Sequence, residues 1–340
     1  MARVTPVHSQ MTRKKVSTPK ARSKKIVVIS RDYDPHIKYV QDHLAQPLYC
    51  IDSSKIIKHT ELTYISQDDS IIFGEDNLSD TGAVWYRKPL PIRELELPVK
   101  EEYKLYVEDS LNRLASGLRA SFQDAFWLSD YYAIAKAENK SWQMKMARRL
   151  GFSIPDTIIT SSPERAAEFI DAHENVIVKS LASMGPIVGK TTYLATMRFK
   201  REEKHLLKGL HLAPAIFQEE IDVAAELRVT VVGDRVFSAI TQDKGVDGME
   251  YVRDWRISQL VGELHFAAHE LSGSVAKKCV ELVKGMGLEF GAIDFILDKN
   301  NKLWFLEINP NGQWAFIEDD TTQPIGKTIA EYLEKRSNSQ

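Results

Sequence analysis

Two apolar stretches near the C-terminus, joined by a short polar turn, constrain the fold of this chain more than any other feature. The segment GAIDFILDKNNKLWFLEINPNGQW, residues 291–314, is typical of two β-strands connected at the DKNN turn. Glu307 and Asn309 alternate with apolar residues, so both side chains lie on one face of the second strand. Pairing of the two strands places Asp294 opposite them. Two carboxylates and an amide oxygen form an oxygen-only site, of the kind that binds Mg²⁺ together with nucleotide phosphates.

A solvated sheet face with incidental acids is the alternative interpretation of these three residues. It accounts poorly for the apolar neighbours of each acid, because burial of an unpaired charge is costly. The sequence therefore favours a metal site at Asp294, Glu307 and Asn309.

The composition is that of an ordinary folded protein and excludes several function classes. At 340 residues the chain is long enough for two or three domains, and its net charge of −2 gives no general attraction to nucleic acid or anionic lipid. The two cysteines form no C-x-x-C pair, which argues for a reducing compartment and against a zinc site. No apolar run approaches the roughly 18 residues of a membrane helix. We therefore expect a cytoplasmic location, with no secretory signal, no membrane and no nucleic-acid partner.

Residues 1–24 differ from the rest, since they are basic, lack acidic side chains and hold few large apolar ones. This composition predicts a disordered tail. A nucleic-acid arm or a localisation signal is the alternative.

The remaining sequence predicts an α/β (α+β) fold. In the first 120 residues, the strand patterns KKIVVIS, PLYCID, SIIFGE and AVWYRKP and the helical pattern HIKYVQDHLAQ indicate a small α/β domain with a largely parallel sheet. A long helix follows at PVKEEYKLYVEDSLNRLASGLRAS. Further helices are predicted at ENKSWQMKMARRLG, ended by Gly151, at SPERAAEFIDAH, capped by Ser162, and at REEKHLLKGLHLAP, ended by Pro214. AIFQEEI predicts a strand, and ELRVTVVGDRVFSAITQ predicts a hairpin turned at Gly233-Asp234.

The stretch GPIVGKTT resembles a phosphate-binding P-loop, but its spacing and context differ. Only three residues separate Gly185 from Gly189, where the Walker A pattern requires four. A P-loop also joins a strand to a helix, whereas strand-forming residues flank this loop on both sides. A turn between two strands can instead cover a triphosphate as a lid. Lys190 within it is then a candidate phosphate contact or an ordinary loop lysine.

In their chain order, these features resemble the ATP-grasp enzymes over residues 24–340. GAIDFI and FLEINPNG are similar to the family's C-terminal metal motif, ENKSWQMKMARRLGFSIPDTIIT to the opening of its central subdomain, and GPIVGKTT to its phosphate-covering loop. The resemblance implies the ATP-grasp fold, in which two sheets clamp ATP. It divides the chain into the tail at 1–24, a pre-ATP-grasp domain at 25–128, a central subdomain at 129–215 and a C-terminal subdomain with the metal site at 216–335.

The same resemblance implies ATP and Mg²⁺ as cofactors, with two metal ions at Asp294, Glu307 and Asn309. It implies that Arg228 and Arg256 stabilise the transferred phosphate and the tetrahedral intermediate. The nucleotide contacts that it implies are phosphate-binding Lys140, Lys179 and Lys190, adenine contacts around Glu219, Glu220 and Ile221, and ribose-binding Glu226, for which Asp222 is an alternative.

Several of these side chains also have purely structural interpretations. Lys140 is compatible with an exposed helix position, Arg228 with an ion pair to Glu226, and VRDWR, residues 252–256, with a surface loop. For Arg87 in WYRKP, a structural ion pair is favoured over a substrate contact. The nine histidines show no metal-ligand spacing and receive no role.

Four segments narrow the resemblance to the microviridin-type peptide ligases, or graspetide synthetases, which are also similar to RimK-type ligases: VWYRKP, WLSDYYAIAKAENK, VRDWR and FLEINPNGQWAFIE. This resemblance implies an ATP-dependent carboxylate-amine or carboxylate-alcohol ligase that closes ω-ester or ω-amide rings. Its partners would be a ribosomal precursor peptide with a leader segment and a second copy in a homodimer. One alternative is a RimK-like ligase that adds an amino acid to a peptide or small molecule. Another is an inactive nucleotide- or peptide-binding protein, against which the complete metal set argues. The HRD and DFG signatures of protein kinases are missing.

Overall fold

The computed structural model of this chain describes residues 24–58, 60–181, 196–241 and 265–339, and the backbone alone of 186–187 and 190–191. The predicted tail, except Lys24, lies outside these residues. The described strands are β1 (Lys25–Ile29), β2 (Leu48–Ile51), β3 (Leu62–Ile65), β4 (Ser70–Phe73), β5 (Asp76–Asn77), β6 (Thr81–Tyr86), β7 (Phe126–Leu128), β8 (Thr157–Thr160), β9 (Val176–Ser180), β10 (Pro186–Ile187), β11 (Lys190–Thr191), β12 (Met197–Phe199), β13 (Ala215–Glu219), β14 (Val223–Val232), β15 (Arg235–Thr241), β16 (Phe266–His269), β17 (Phe290–Asp298) and β18 (Leu303–Asn309). The described α-helices are α1 (Pro35–Gln41), α2 (Ser53–Ile56), α3 (Glu101–Ser121), α4 (Tyr131–Ala137), α5 (Lys140–Arg149), α6 (Pro163–Ala172), α7 (Gly273–Gly285), α8 (Ala315–Thr321) and α9 (Ile325–Ser337), with 3₁₀ helices at Ile92–Glu94 and Arg201–Gly209.

The N-terminal sheet has the order β2-β1-β6-β7 and is parallel throughout, which confirms the predicted parallel sheet. Both of its faces are buried, as in other parallel sheets, so β1 is an unbroken apolar run. Ile26 and Val28 pack against the C-terminal helices α8 and α9. Val27 and Ile29 pack on the opposite face with Phe122, which follows α3. The two C-terminal helices therefore complete the hydrophobic core of the N-terminal sheet.

The SIIFGE strand does not join the parallel sheet. It is β4, the middle strand of the antiparallel sheet β3-β4-β5. Only Gly74 and Glu75 separate β4 from β5, and Gly74 has a φ of +60°. A two-residue connection makes the next strand antiparallel to β4, whereas a parallel neighbour requires a crossover of a dozen residues or more.

The central sheet has the antiparallel order β12-β9-β13-β8, with α6 and the 3₁₀ helix at Arg201–Gly209 on one face. The helix predicted at REEKHLLKGLHLAP is present as a 3₁₀ helix, which ends at Gly209, before Pro214. Leu207 and Leu210 are both buried, and side chains at i and i+3 eclipse in a 3₁₀ helix. This geometry aligns both leucines with the core under α6. Since β13 pairs with β8 and β9, this sheet extends to Glu219, beyond the predicted boundary at residue 215.

The C-terminal sheet has the order β16-β15-β14-β17-β18, and both predicted hairpins within it are present. Residues alternate along β14: Leu227, Val229 and Val231 face a core formed with α4, α5 and α7. Glu226, Arg228 and Thr230 therefore face the other way. Helix α5, predicted to open the central subdomain, packs on this sheet instead. The predicted boundary at residue 129 therefore assigns α5 to the central subdomain, although this helix packs on the C-terminal sheet. The domain limits stay a prediction.

None of the helices in the described part of the chain combines the length and the apolar character that crossing a bilayer requires.

Candidate active site

Asp294, Glu307 and Asn309 meet on one face of the β17–β18 hairpin. Asp294 lies directly opposite Glu307 in the register, and Asn309 lies opposite Ala292, diagonal to Asp294. The amide Nδ2 of Asn309 donates to Asp294 Oδ2 at 3.0 Å and to Glu307 Oε1 at 3.1 Å. The side chains predicted to form the metal site are thus brought together, with Asp294 only 6% exposed.

Two cations balance the carboxylates. Arg228 lies across from Asp294 in the β14–β17 register, and its Nη1 donates to Asp294 Oδ1 at 2.6 Å. Lys140, the first residue of α5, places its Nζ 2.5 Å from Glu307 Oε2. Arg228 thus forms its ion pair with Asp294, and Lys140 lies at the site with its side chain partly buried. The phosphate contacts expected of both residues stay predictions. A buried carboxylate bonded in this way avoids the cost of an unpaired charge.

The donor chemistry of the three residues fits Mg²⁺. Within the described ranges, no group of three or more His, Cys, Asp or Glu side chains is arranged to hold a metal. A cation here would rely on two carboxylates and the amide oxygen of Asn309, all of them hard oxygen ligands. The nitrogen and oxygen of an amide exchange places by a rotation of half a turn, so Asn309 can turn its oxygen toward a cation. Until then, Lys140 and Arg228 balance the charges of the two acids.

The NPNGQW loop, residues 309–314, follows β18 and is held at three points. Arg87 Nη1 donates to the carbonyl of Asn311, and Arg228 Nη2 donates to that of Gln313 at 2.9 Å. The backbone N–H groups of Trp314 and Ala315 donate to His36 Nε2 at 3.2 and 3.3 Å. Arg87 and His36 from the N-terminal domain and Arg228 from the C-terminal sheet therefore fix the loop that begins at Asn309.

His36 and Asp34 are site residues that the sequence did not reveal. His36 Nε2 accepts two hydrogen bonds, so its proton is on Nδ1, 2.7 Å from Asp34 Oδ1. Burial lowers the pKa of His36, which keeps the ring neutral. Burial opposes ionisation of Asp34, but the hydrogen bond from His36 and the charge of Arg87 prevail and lower its pKa from 3.8 to about 2. The only local signal is an Asp-Pro-His helix start, which is common in helices without any such role.

Arg87 of the WYRKP segment forms a buried ion pair with Asp34, as its structural interpretation predicts. Its side chain is only 2% exposed, and its Nε lies 3.5 Å from Asp34 Oδ2. Burial lowers the pKa of Arg87 to about 10, which leaves it charged at neutral pH. The guanidinium thus links the end of β6 to the NPNGQW loop.

Candidate nucleotide contacts lie on the central sheet and at its edge. Lys179 on β9 donates to Gln218 Oε1 at 2.8 Å, and Ile216 of β13 is its register partner. At the end of β13, the N–H of Glu219 donates to Asp156 O at 2.8 Å and that of Glu220 to Asn175 O at 3.1 Å. These bonds fix the backbone of Glu219 and Glu220 at the end of the central sheet.

Other candidates in this region have different surroundings. The Glu220 carboxylate is engaged by Arg198 at 2.6 and 2.7 Å, so its side chain is already paired. The backbone N–H of Glu226, on the site face of β14, donates to Thr241 Oγ1 at 3.0 Å. Asp222, the alternative ribose ligand, pairs with Lys299 at 2.6 Å on the surface. The side chain of Lys190 and the whole of Arg256 lie outside the described residues.

The comparisons with known proteins cover most of the chain. A family model described as the RimK-like ATP-grasp domain matches residues 137–333, more than half of it. The chain is 25% identical over 221 residues to a probable α-L-glutamate ligase of Shewanella loihica, spanning 62% of this chain and 68% of that protein. It is 24% identical over 224 residues to a ribosomal protein bS6–L-glutamate ligase of Escherichia coli, spanning 63% and 69%.

Solved structures extend the match to the N-terminal domain. The RiPP-associated ATP-grasp ligase of Chryseobacterium gregarium, in complex with ADP and a leader and core peptide, has a TM-score of 0.82 and 24% identity, covering 92% of this chain and 97% of that one. The macrocyclase MdnC of Microcystis aeruginosa, bound with the precursor peptide MdnA, has a TM-score of 0.79 and 27% identity, covering 92% and 99%. These matches confirm the predicted ATP-grasp fold. The chain belongs to the RimK-like ATP-grasp family and is an ATP-grasp ligase.

Proposed function

We propose that this ligase activates Asp or Glu side chains of a ribosomal precursor peptide and joins them to Ser or Thr hydroxyls or Lys amines. The observation that carries the proposal is the extent of the match to MdnC, which spans 92% of this chain and includes the N-terminal domain. The glutamate ligases match only 62–63% of the chain. The name of MdnC and its bound peptide therefore support a peptide substrate and ring closure.

The chemistry requires activation, because a carboxylate does not react with an alcohol or amine at neutral pH. A carboxylate oxygen attacks the γ-phosphorus of ATP, and ADP leaves. The hydroxyl or amine then attacks the acyl carbon, loses its proton, and expels phosphate with the original carboxylate oxygen. Each ester or amide bond formed in this way removes one water from the peptide.

The residues of the site suit this chemistry by position and charge. Asp294, Glu307 and Asn309 would hold two Mg²⁺ ions, which when bound neutralise phosphate charge. Lys140 and Arg228 lie at the same face and can exchange their carboxylate partners for phosphate oxygens. We propose phosphate contacts for Lys179 and Lys190, adenine and ribose contacts for Glu219, Glu220, Ile221 and Glu226, and intermediate stabilisation for Arg256.

A RimK-like ligase that adds an amino acid to an acceptor is the second candidate. The family model and the two glutamate ligases favour it. Both candidates share the acyl phosphate step and differ in the nucleophile. A leader-recognition site and a homodimer stay predictions.

The test is mass spectrometry of the protein with ATP, Mg²⁺, free glutamate and the peptide encoded beside it. We expect successive losses of about 18 Da, the mass of water. Asp294→Ala and Glu307→Ala should abolish them, whereas Glu331→Ala, which removes an exposed acid from α9, should not. A mass gain equal to an added amino acid would establish the second candidate, and unchanged peptides in every case would refute both.

A further inference from the structure

Two strands of the parallel sheet end beside the NPNGQW loop. Ser30 and Arg31 follow β1, and Arg87 and Lys88 follow β6. The N–H of Lys88 donates to Ser30 Oγ at 3.4 Å, so the two strand ends are adjacent. Arg87 contacts the loop at Asn311. The crevice outside the carboxyl ends of parallel strands is where α/β sheets bind ligands.

The acids near this edge are already bonded to other groups. Asp34 binds His36 through Oδ1, and Ser30 and Arg87 through Oδ2. Asp32 pairs with Lys55 at 3.1 Å. Asp52 accepts the N–H groups of Asp32 and Ser54.

The cations at the edge, by contrast, are in excess. Across the described part of the chain, neither Arg31 nor Lys88 has a carboxylate within 4.0 Å of its charged group. The side-chain nitrogens of both residues donate no hydrogen bond to a described residue. Arg87 Nη2 and Arg31 Nε are buried and have no hydrogen-bond partner. The edge therefore carries a surplus of positive charge with unused donors.

Lys88 has an exposed side chain, and its charged neighbours include residues of the candidate site. Desolvation lowers the pKa of Lys88 to about 8, with further contributions from Arg87 and Arg228. Desolvation raises the pKa of Glu138, which Lys140 and Lys88 both oppose. Lys88 is therefore within electrostatic range of Arg228, which binds Asp294, and shares Glu138 as a neighbour with Lys140, which binds Glu307. An anion at this edge would relieve the repulsion among the cations.

We propose that Lys88 and Arg31 form a carboxylate-binding subsite that receives the acidic side chain of the peptide before its phosphorylation. The proposal rests on the proposed function and names the part of the chain that selects an acidic substrate. A carboxylate is favoured over a nucleotide phosphate because the edge belongs to the parallel sheet, whereas Lys179 lies on the central sheet. Buried Arg87 strengthens the field without contacting the ligand.

Competition labelling of lysines tests the subsite directly. Trace acetic anhydride at pH 8 reacts with amines in proportion to their free-base form, and labelled peptides are quantified by mass spectrometry. The probes are the precursor peptide encoded beside this chain, a copy with every core Asp and Glu replaced by Asn and Gln, and ADP with Mg²⁺. We expect the acidic peptide to protect Lys88 several-fold, with no protection by the other two. Lys277, an exposed lysine of α7, is the internal control.

The outcomes separate this proposal from the proposed function. Equal labelling of Lys88 with and without bound acidic peptide would overturn the subsite, even if rings form. Protection by ADP alone would assign the edge to phosphate and also overturn it. A peptide that neither binds nor reacts would refute the proposed function and the subsite together.

Variants supply a second readout. Lys88→Met should raise the KM for the peptide by about tenfold or more, the effect of losing one charge-assisted hydrogen bond, and leave the Kd for ADP unchanged. Lys88→Arg keeps the charge and should restore most of the affinity. An unchanged peptide KM in a folded Lys88→Met variant would contradict the proposal.

Discussion

Replacement of Gly312 by alanine should disturb the candidate site through a single methyl group. A Cβ at this position would lie 2.4 Å from Ala292 Cβ, 2.7 Å from Arg228 Nη2 and 3.2 Å from Asn309 Cβ. Two of these neighbours belong to the site and the third lies under it. Buried backbone and side chains surround the methyl group, so the NPNGQW loop must shift to make room.

The expected cost is that of overpacking, about 1–3 kcal/mol. With about 2–4 °C per kcal/mol for a domain of this size, the melting temperature of Gly312→Ala should fall by about 2–12 °C. The displaced Asn309 and Arg228 should also weaken Mg²⁺-dependent binding of ADP, measured by calorimetry.

Gly117→Ala is the matched control. Gly117 lies within α3, and nothing lies within 4 Å of the Cβ it would gain. The same chemical change should therefore stabilise the protein by about 0.5–1 kcal/mol, because alanine is the better helix former. A Gly312→Ala protein that melts at or above the wild-type temperature and binds ADP normally would refute the packing described here.

Three further predictions concern buried or half-buried groups outside the metal motif. Desolvation raises the pKa of the thiols of half-buried Cys50 and buried Cys279 to about 12, so iodoacetamide at pH 8 should label them only slowly until urea unfolds the chain. Prompt labelling of the native protein would contradict these raised pKa values. The pKa of Asp34 is lower in the folded state, so the stability it contributes is present above pH 3.8 and lost toward pH 2. Urea midpoints of Asp34→Asn should accordingly fall less steeply over that interval than those of wild type, and parallel curves would argue against it. His36→Phe removes the acceptor of two backbone N–H groups and should cost about 2 kcal/mol or more by urea unfolding, whereas exposed His211→Phe should be neutral; equal stability of both variants would show that the two bonds contribute little.

The sequence predicted the parts of the structure that depend on local pattern. The β17–β18 pairing follows from two apolar runs and one turn, and it brings Asp294 and Glu307 together without further information. The parallel sheet follows in the same way from β-branched runs separated by helical segments.

The contacts that could not be predicted join distant parts of the chain. The ion pair between Arg228 and Asp294 forms because β14 and β17 are neighbouring strands, with these two residues opposite each other. The local sequence of β14 specifies neither the neighbouring strand nor the register of the pairing. His36 binds backbone groups 278 and 279 residues away, and no periodicity reports such a contact. Helix α5 is amphipathic and needs an apolar partner, but the sheet that supplies it is decided by tertiary packing.

Oxygen transfer tests the central claim, activation of a carboxylate by ATP at this site, most directly. The precursor peptide is labelled with ¹⁸O in its Asp and Glu carboxylates and incubated with the protein, ATP and Mg²⁺, and the released phosphate is analysed by mass spectrometry. We predict one ¹⁸O in the phosphate for each ester or amide bond formed, and none with Glu307→Ala. Bond formation with phosphate free of ¹⁸O would contradict the acyl phosphate route and with it the account of the site.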